Sequence, residues 1–115
     1  MAATKTQGEG GYVKIHRSLL DWEWFQDRNT LQVWMYILIR ANYEPSRFMG
    51  MKIGRGEMIE SLAEMAEHTG LTVRKVRTAL NHLKTTGEIA CKSTRYGTRV
   101  RVLNYAVYQD ITGGQ

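Results

Sequence analysis

SLAEMAEHTGLTVRKVRTALNHLKTT, residues Ser61–Thr86, decides the fold, because it holds start and stop signals for two consecutive helices. Ser61 and Glu64 have the spacing of a capping box, in which the two side chains satisfy orphan backbone donors at a helix start. Leu62, Met65 and Ala66 then share one helical face, and Gly70 supplies the residue type that enters a left-handed C-terminal cap without a Cβ clash. Leu71 plugs the corner. Thr72 caps a second helix in which Val73, Val76, Leu80 and Leu83 recur at three- and four-residue spacing until Gly87 ends it. Two short helices joined by a glycine turn are a helix-turn-helix.

At about 100° per residue, the Val/Leu stripe of the second helix leaves Arg74, Thr78, Asn81 and Thr85 pointing outward. Arg77 and Lys84 flank them on one side, Lys75 and His82 on the other. Arg74, Lys75 and Arg77 lie near the positive end of the helix macrodipole, where cations are disfavoured by a few tenths of a kcal/mol each. An anionic partner offsets that cost; a solvated charged face is the competing reading.

Beyond Gly87, Glu88–Thr94 (EIACKST) and Thr98–Asn104 (TRVRVLN) alternate apolar and polar residues about a turn at Arg95, Tyr96 and Gly97. That pattern predicts a β-hairpin with Ile89, Cys91, Val100 and Val102 inward, Lys92, Arg99 and Arg101 outward, and Arg95 at the tip. A basic hairpin directly after a recognition-type helix predicts a winged helix-turn-helix, mainly α with a small antiparallel β-hairpin. Charge segregation supports the reading. Residues 71–101 hold eight Lys/Arg against one Asp/Glu, a net of +7, whereas the rest of the chain holds eight against ten. The imbalance is more specific than the overall charge of +5 or the pI near 9.6.

Working outward, Asn29–Tyr43 (NTLQVWMYILIRANY) predicts a buried core helix, capped by Asn29 or Thr30. Before it, Tyr12–Leu20 opens the fold, with His16 and Arg17 at the surface, and Trp22, Trp24 and Phe25 form an aromatic cluster. The cluster either packs over the core or makes a self-association patch. Glu44–Gly56, with the only proline and Gly50, Gly54 and Gly56, reads as a loop. Gly56–Glu60 is a candidate third strand beside the hairpin, and Tyr105–Gln109 packs back on the domain. The domain spans residues 12–109, between a flexible tail at 1–11 and a C-terminal tail or linker start at 110–115.

At 115 residues and 43% apolar the chain reads as one folded domain. A single cysteine excludes an intramolecular disulfide, and Cys91 reads as a small core hydrophobe. No apolar run approaches the roughly 18 residues of a membrane span, and no signal-peptide core opens the chain, so a bacterial or infected-host cytosol is expected. His16, His68 and His82 lack metal-ligand spacing, and Gly50, Gly54 and Gly56 miss the phosphate-cradling spacings. No enzyme, metal or cofactor is expected.

The blocks GYVKIHRSLLDWEWFQD, T..VW..ILIRAN, IGRGEMI, SLAEMAEHTGLTVRKVRTALNHLKTTGEI and RVLNYAVYQ together carry a family resemblance over residues 11–109. The chain resembles the N-terminal winged-helix domain of phage replisome organisers and DnaD-like replication initiation proteins. The H.S...W.W..D opening, the Arg55-Gly56 pair and the terminal NY..YQ are its more specific parts. The resemblance implies a module acting at a replication origin or in a primosome complex, and an association with self-assembly. In that family a second domain usually follows, contacting single-stranded DNA or recruiting the helicase; at 115 residues the chain reads as an excised domain or a short relative, and helicase loading is not an expectation carried over to it.

Double-stranded DNA is therefore the expected partner. Thr72, Arg74, Lys75, Arg77, Thr78, Asn81 and Lys84 come from the recognition helix, with Arg74, Thr78 and Asn81 at base edges and Lys75, Arg77 and Lys84 on phosphates. Lys92, Arg95, Arg99 and Arg101 come from the wing, on the backbone or in the minor groove. The alternatives are a transcription regulator, or an assembly module that self-associates through Trp22, Trp24 and Phe25 and docks other replication proteins.

Overall fold

The cap signals in Ser61–Thr86 are realised one by one. In the computed structural model, which describes residues 11–110, Ser61 accepts from the Glu64 amide while Glu64 reaches back to the Ser61 amide, and α2 runs Leu62–Thr69. Gly70 closes α2 at φ 75°, and α3 runs Val73–Thr85 behind Thr72, whose hydroxyl accepts from the Lys75 amide. Numbering the other elements in chain order, α1 is Arg28–Arg40 and α4 is Tyr105–Gln109. The strands are β1 Ser46–Phe48, β2 Met51–Ile53, β3 Glu57–Glu60, β4 Ile89–Thr94 and β5 Gly97–Val102. A 3-10 helix, Arg17–Asp21, precedes α1. The tails read at 1–11 and 110–115 lie outside the described residues except for Gly11 and Asp110.

The architecture is α+β: four α-helices and two small antiparallel sheets among the described residues. This corrects the expectation of a mainly α chain with one hairpin. The segment Glu44–Gly56 is not a plain loop but contains the β1–β2 hairpin, with Phe48 opposite Met51 and Arg47 opposite Lys52. Its turn, Met49 at φ 50° and Gly50 at φ 83°, is the tight mirror-image type that favours Asn-Gly. A methionine in the first place hid it, as did a β1 exposed on every residue and so without inward alternation.

The second sheet has the order β3-β5-β4, so the third strand joins as expected. Ile89 faces Val102 and Cys91 faces Val100, with Lys92 opposite Arg99 on the reverse face. Strand β5 begins at Gly97, which leaves only Arg95 and Tyr96 in the turn. Gly97 is required there: at φ 135°, a Cβ would lie 2.8 Å from the Glu60 carbonyl carbon.

Helix α1 starts one turn position earlier than expected, because Asp27 rather than Asn29 or Thr30 caps it, accepting from the Thr30 amide at 3.1 Å. It is also less enclosed than its apolar run suggests: Val33, Trp34, Ile37 and Leu38 are buried, but Ile39 is 61% exposed. These residues meet Met65 and Ala66 of α2, Val76, Leu80 and Leu83 of α3, and Val100 and Val102 of β5 in one core. Each fully buried aliphatic side chain there contributes about 1.5–3 kcal/mol. Val73, placed on that stripe from its spacing, is instead exposed at the first position of α3, and Ala79 takes part in the core.

The two ends of the domain are sewn together by side chains. The Gln109 amide bonds both the N–H of Lys14 (2.9 Å) and its carbonyl (3.3 Å), and His16 Nε2 bonds the Tyr108 carbonyl at 2.9 Å. His16 is therefore half-buried rather than a surface residue. Trp22 donates to Glu88 and Trp24 to Thr86, each at 2.9 Å, and the Trp24 ring stacks on His82 at 4.2 Å. His82, expected on the outer face of α3, lies against Thr30 (2.8 Å) and Asp27 (3.2 Å) of α1's start.

Candidate nucleic-acid interface

Helix α3 presents Arg74, Lys75, Arg77, Thr78, Asn81 and Lys84 to solvent, all of them exposed, with Thr72 exposed at its cap. Val76, Ala79, Leu80 and Leu83 hold the opposite side in the core, which fixes the rotation of the polar face. No acidic residue occupies the first turn.

Between α3 and the sheet lies a depression of about 270 Å³, and it brings the helix and hairpin residues together. Arg77, Asn81 and Lys84 form one wall; Cys91, Lys92, Ser93 and Thr98 form the other. Two hydroxyls, an amide and three cations around one opening make a site for an anion with several acceptor oxygens. Burial pushes the Cys91 thiol above its ordinary pKa, with Lys84 nearby pulling the other way, so the group is a neutral thiol at pH 7.

The one acid within residues 71–101, Glu88, is turned away from this surface. One of its oxygens accepts from Trp22, and the other accepts from the Thr86 hydroxyl. The cationic surface of α3 and the β4–β5 hairpin is therefore unbroken by a carboxylate of its own segment.

The hairpin cations divide into two kinds. Arg95 is exposed at the turn with its guanidinium 5.9 Å from the Tyr96 ring centre, and Lys92 and Arg101 are exposed on the strands. Arg99 is occupied. Its Nη1 lies 2.7 Å from Glu57 Oε1 on β3 and donates to the Lys52 carbonyl at 3.2 Å. Sequence reasoning missed this because Glu57 belongs to a strand 42 residues away. It also missed Arg47 and Lys52, which the β1–β2 hairpin places beside the same sheet; the one local signal was Gly50 itself.

Trp22, Trp24 and Phe25 pack partly onto the domain, and Trp22 also lines an open depression of about 380 Å³ with Leu19, Trp34 and Leu38. All three are half-buried, and both indole N–H groups are bonded within the domain.

A separate polar cluster lies under α1 and α2. The Glu60 carboxylate, 4% exposed, accepts from the Tyr36 hydroxyl at 2.5 Å and stands 3.0 Å from His68 Nδ1 and 3.6 Å from Arg40. Burial first, then its hydrogen bond to Glu60 and the Glu60 charge, push the Tyr36 phenol well above its ordinary pKa. No buried side-chain polar atom among the described residues lacks a partner, and the cluster joins α1, β3 and α2; its geometry is that of a structural knot. Among the described residues no group of three or more His, Cys, Asp and Glu is arranged to hold a metal ion, and no helix is long and apolar enough to cross a membrane. Compared with known protein families, curated proteins and solved structures, the chain matches none of them.

Proposed function

We propose that this domain is a winged-helix module that binds duplex DNA, serving a phage-type replication initiation protein at an origin. The observation that carries the reading is the continuous cationic surface joining α3 to the β4–β5 hairpin through the cleft of Arg77, Asn81, Lys84, Lys92, Ser93 and Thr98. On this reading α3 enters the major groove. Arg74 and Thr78 face base edges, and Asn81 lies at the boundary between the bases and the cleft. Lys75, Arg77 and Lys84 take phosphates, and Lys92, Arg95 and Arg101 continue along the backbone. Arg99 acts chiefly by anchoring β5 to β3. Replication rather than transcription rests on the resemblance of the chain's two ends, since an operator offers the same groove. A self-association surface at Trp22, Trp24 and Phe25 would use the parts of the three rings that the fold leaves exposed.

Charge reversal in the cleft is the test. Arg77→Glu combined with Lys84→Glu, both exposed and away from the core, should leave the melting temperature near wild type and abolish duplex binding. Undiminished binding by that double variant would remove the cleft from the interface.

A further inference from the structure

We infer that the β1–β2 hairpin is a second DNA-contacting arm, laid beside the tip of the first so that the two reach the duplex together. The inference rests on the DNA-binding reading above and deepens it. Three observations carry it.

The first is a like-charge pair, whose one internal side-chain bond among the described residues is a long one, 3.5 Å from Arg47 to the Gly50 carbonyl. Arg47 and Lys52 stand directly opposite each other across the two strands, both exposed, and among the described residues neither is paired with a carboxylate. Like charges in that position destabilise a hairpin. A phosphate between them reverses the sign of the contribution.

The second is the turn. Met49 holds a left-handed conformation, φ 50°, that disfavours any side chain, and its own side chain is 62% exposed, so no packing compensates. Phe48 beside it is 43% exposed. Apolar side chains at a strained, exposed tip flanked by cations have the make-up of a minor-groove arm, in which charge holds the phosphates while an apolar wedge meets sugars or a base step.

The third is position. The Phe48 ring meets the Tyr96 ring edge-on at 5.7 Å, and Arg99 ties the Lys52 carbonyl to β5. The tip of the β1–β2 hairpin therefore lies beside Arg95 and Tyr96. DNA held by that turn is within reach of Arg47, Phe48, Met49 and Lys52.

Two variants of the full chain test this beside the unaltered protein, with an end-labelled duplex of defined sequence from the native flanking genome for footprinting, and a random-sequence duplex and a single strand for titration at several salt concentrations. Arg47→Ala with Lys52→Ala should lower duplex affinity about tenfold at low salt and make the log K against log salt slope shallower by about 2. Met49→Gly, which relieves the turn, should raise the melting temperature yet shorten the hydroxyl-radical footprint on the minor groove. A better-folded protein with a smaller footprint has no explanation in misfolding. Wild-type slope and footprint in both variants, with Arg77→Glu/Lys84→Glu still abolishing binding, would overturn the arm and leave the DNA reading standing. A change in oligomeric state with DNA binding intact would overturn it in favour of a second copy of the chain as occupant. Failure of the unaltered protein to bind duplex would bring down the DNA reading itself, and the arm with it.

Discussion

Arg99 and Arg101 sit two residues apart on the same face of β5, and a neighbouring strand makes them different. Glu57 holds Arg99 at 2.7 Å with both side chains largely covered, while Arg101 is exposed without an ion pair among the described residues. Arg101→Ala should therefore make the salt dependence of DNA binding shallower by about 1 and leave stability unchanged, whereas Arg99→Ala should cost about 1 kcal/mol in a denaturant melt. Equal effects of the two on both measurements would contradict the division. Arg74, with nothing but solvent around it, carries the base-reading assignment: Arg74→Ala should relax preference at one base position by about 1–3 kcal/mol in a competition assay, without a uniform loss on all sequences. Cys91 offers a probe of the same cleft. Its thiol is held neutral by burial, so alkylation at pH 7 should run slower than for an ordinary exposed cysteine and speed up as pH rises past the usual thiol range. Bound duplex should slow it further, and alkylation indifferent to DNA would place the nucleic acid elsewhere.

The elements written in local grammar were legible from the chain alone. The capping box of α2, the Thr72 cap of α3, the glycine turn between them and the inward register of β4 and β5 are all set by residues within a few positions of one another. The β1–β2 hairpin was not, because its turn uses Met49 where the signal is Asn or Gly, and β1 buries nothing. Nor were the partners of the Arg55-Gly56 pair and the NY..YQ end, which are long-range. Arg55 lies over the rings of Tyr43 (4.6 Å) and Tyr105 (5.2 Å) and bridges Asp110 with both terminal nitrogens, at 2.9 and 2.5 Å. Gly56, beside it, has φ 81°, and a Cβ would fall 2.8 Å from Tyr105 Cβ. The Arg-Gly pair and the NY..YQ end thus form one joint, although they lie almost 50 residues apart. Gly56→Ala should cost about 2–5 kcal/mol, combining the left-handed strain with the steric overlap, and a thermal melt within 2 °C of wild type would refute that packing.

For the molecule as a whole, stability and charge follow from the same arrangement. Tyr36, Tyr105, Tyr108 and Cys91 all have their pKa raised, with burial the largest cause in each. In the unfolded chain the phenols lose their protons near pH 10, before the folded ones do, so above that range the native state binds more protons and stability falls as pH rises. The melting temperature should decline from about pH 9 upward, and Tyr108→Phe should flatten part of that decline while changing little at pH 7. An identical alkaline slope in the variant would show that Tyr108 ionises as freely in the fold as outside it. The basic third of the chain was legible from composition; that Glu88 turns inward beneath Trp22 and that Glu57 takes one arginine out of the surface needed the fold. The most direct test of the central claim is a binding titration of the intact chain against duplex and single-stranded DNA across a range of salt. About five neutralised phosphates predict a fall of log K with log salt at a slope near −4 to −5, with duplex preferred. A flat salt response, or equal weak binding to both forms, would contradict it.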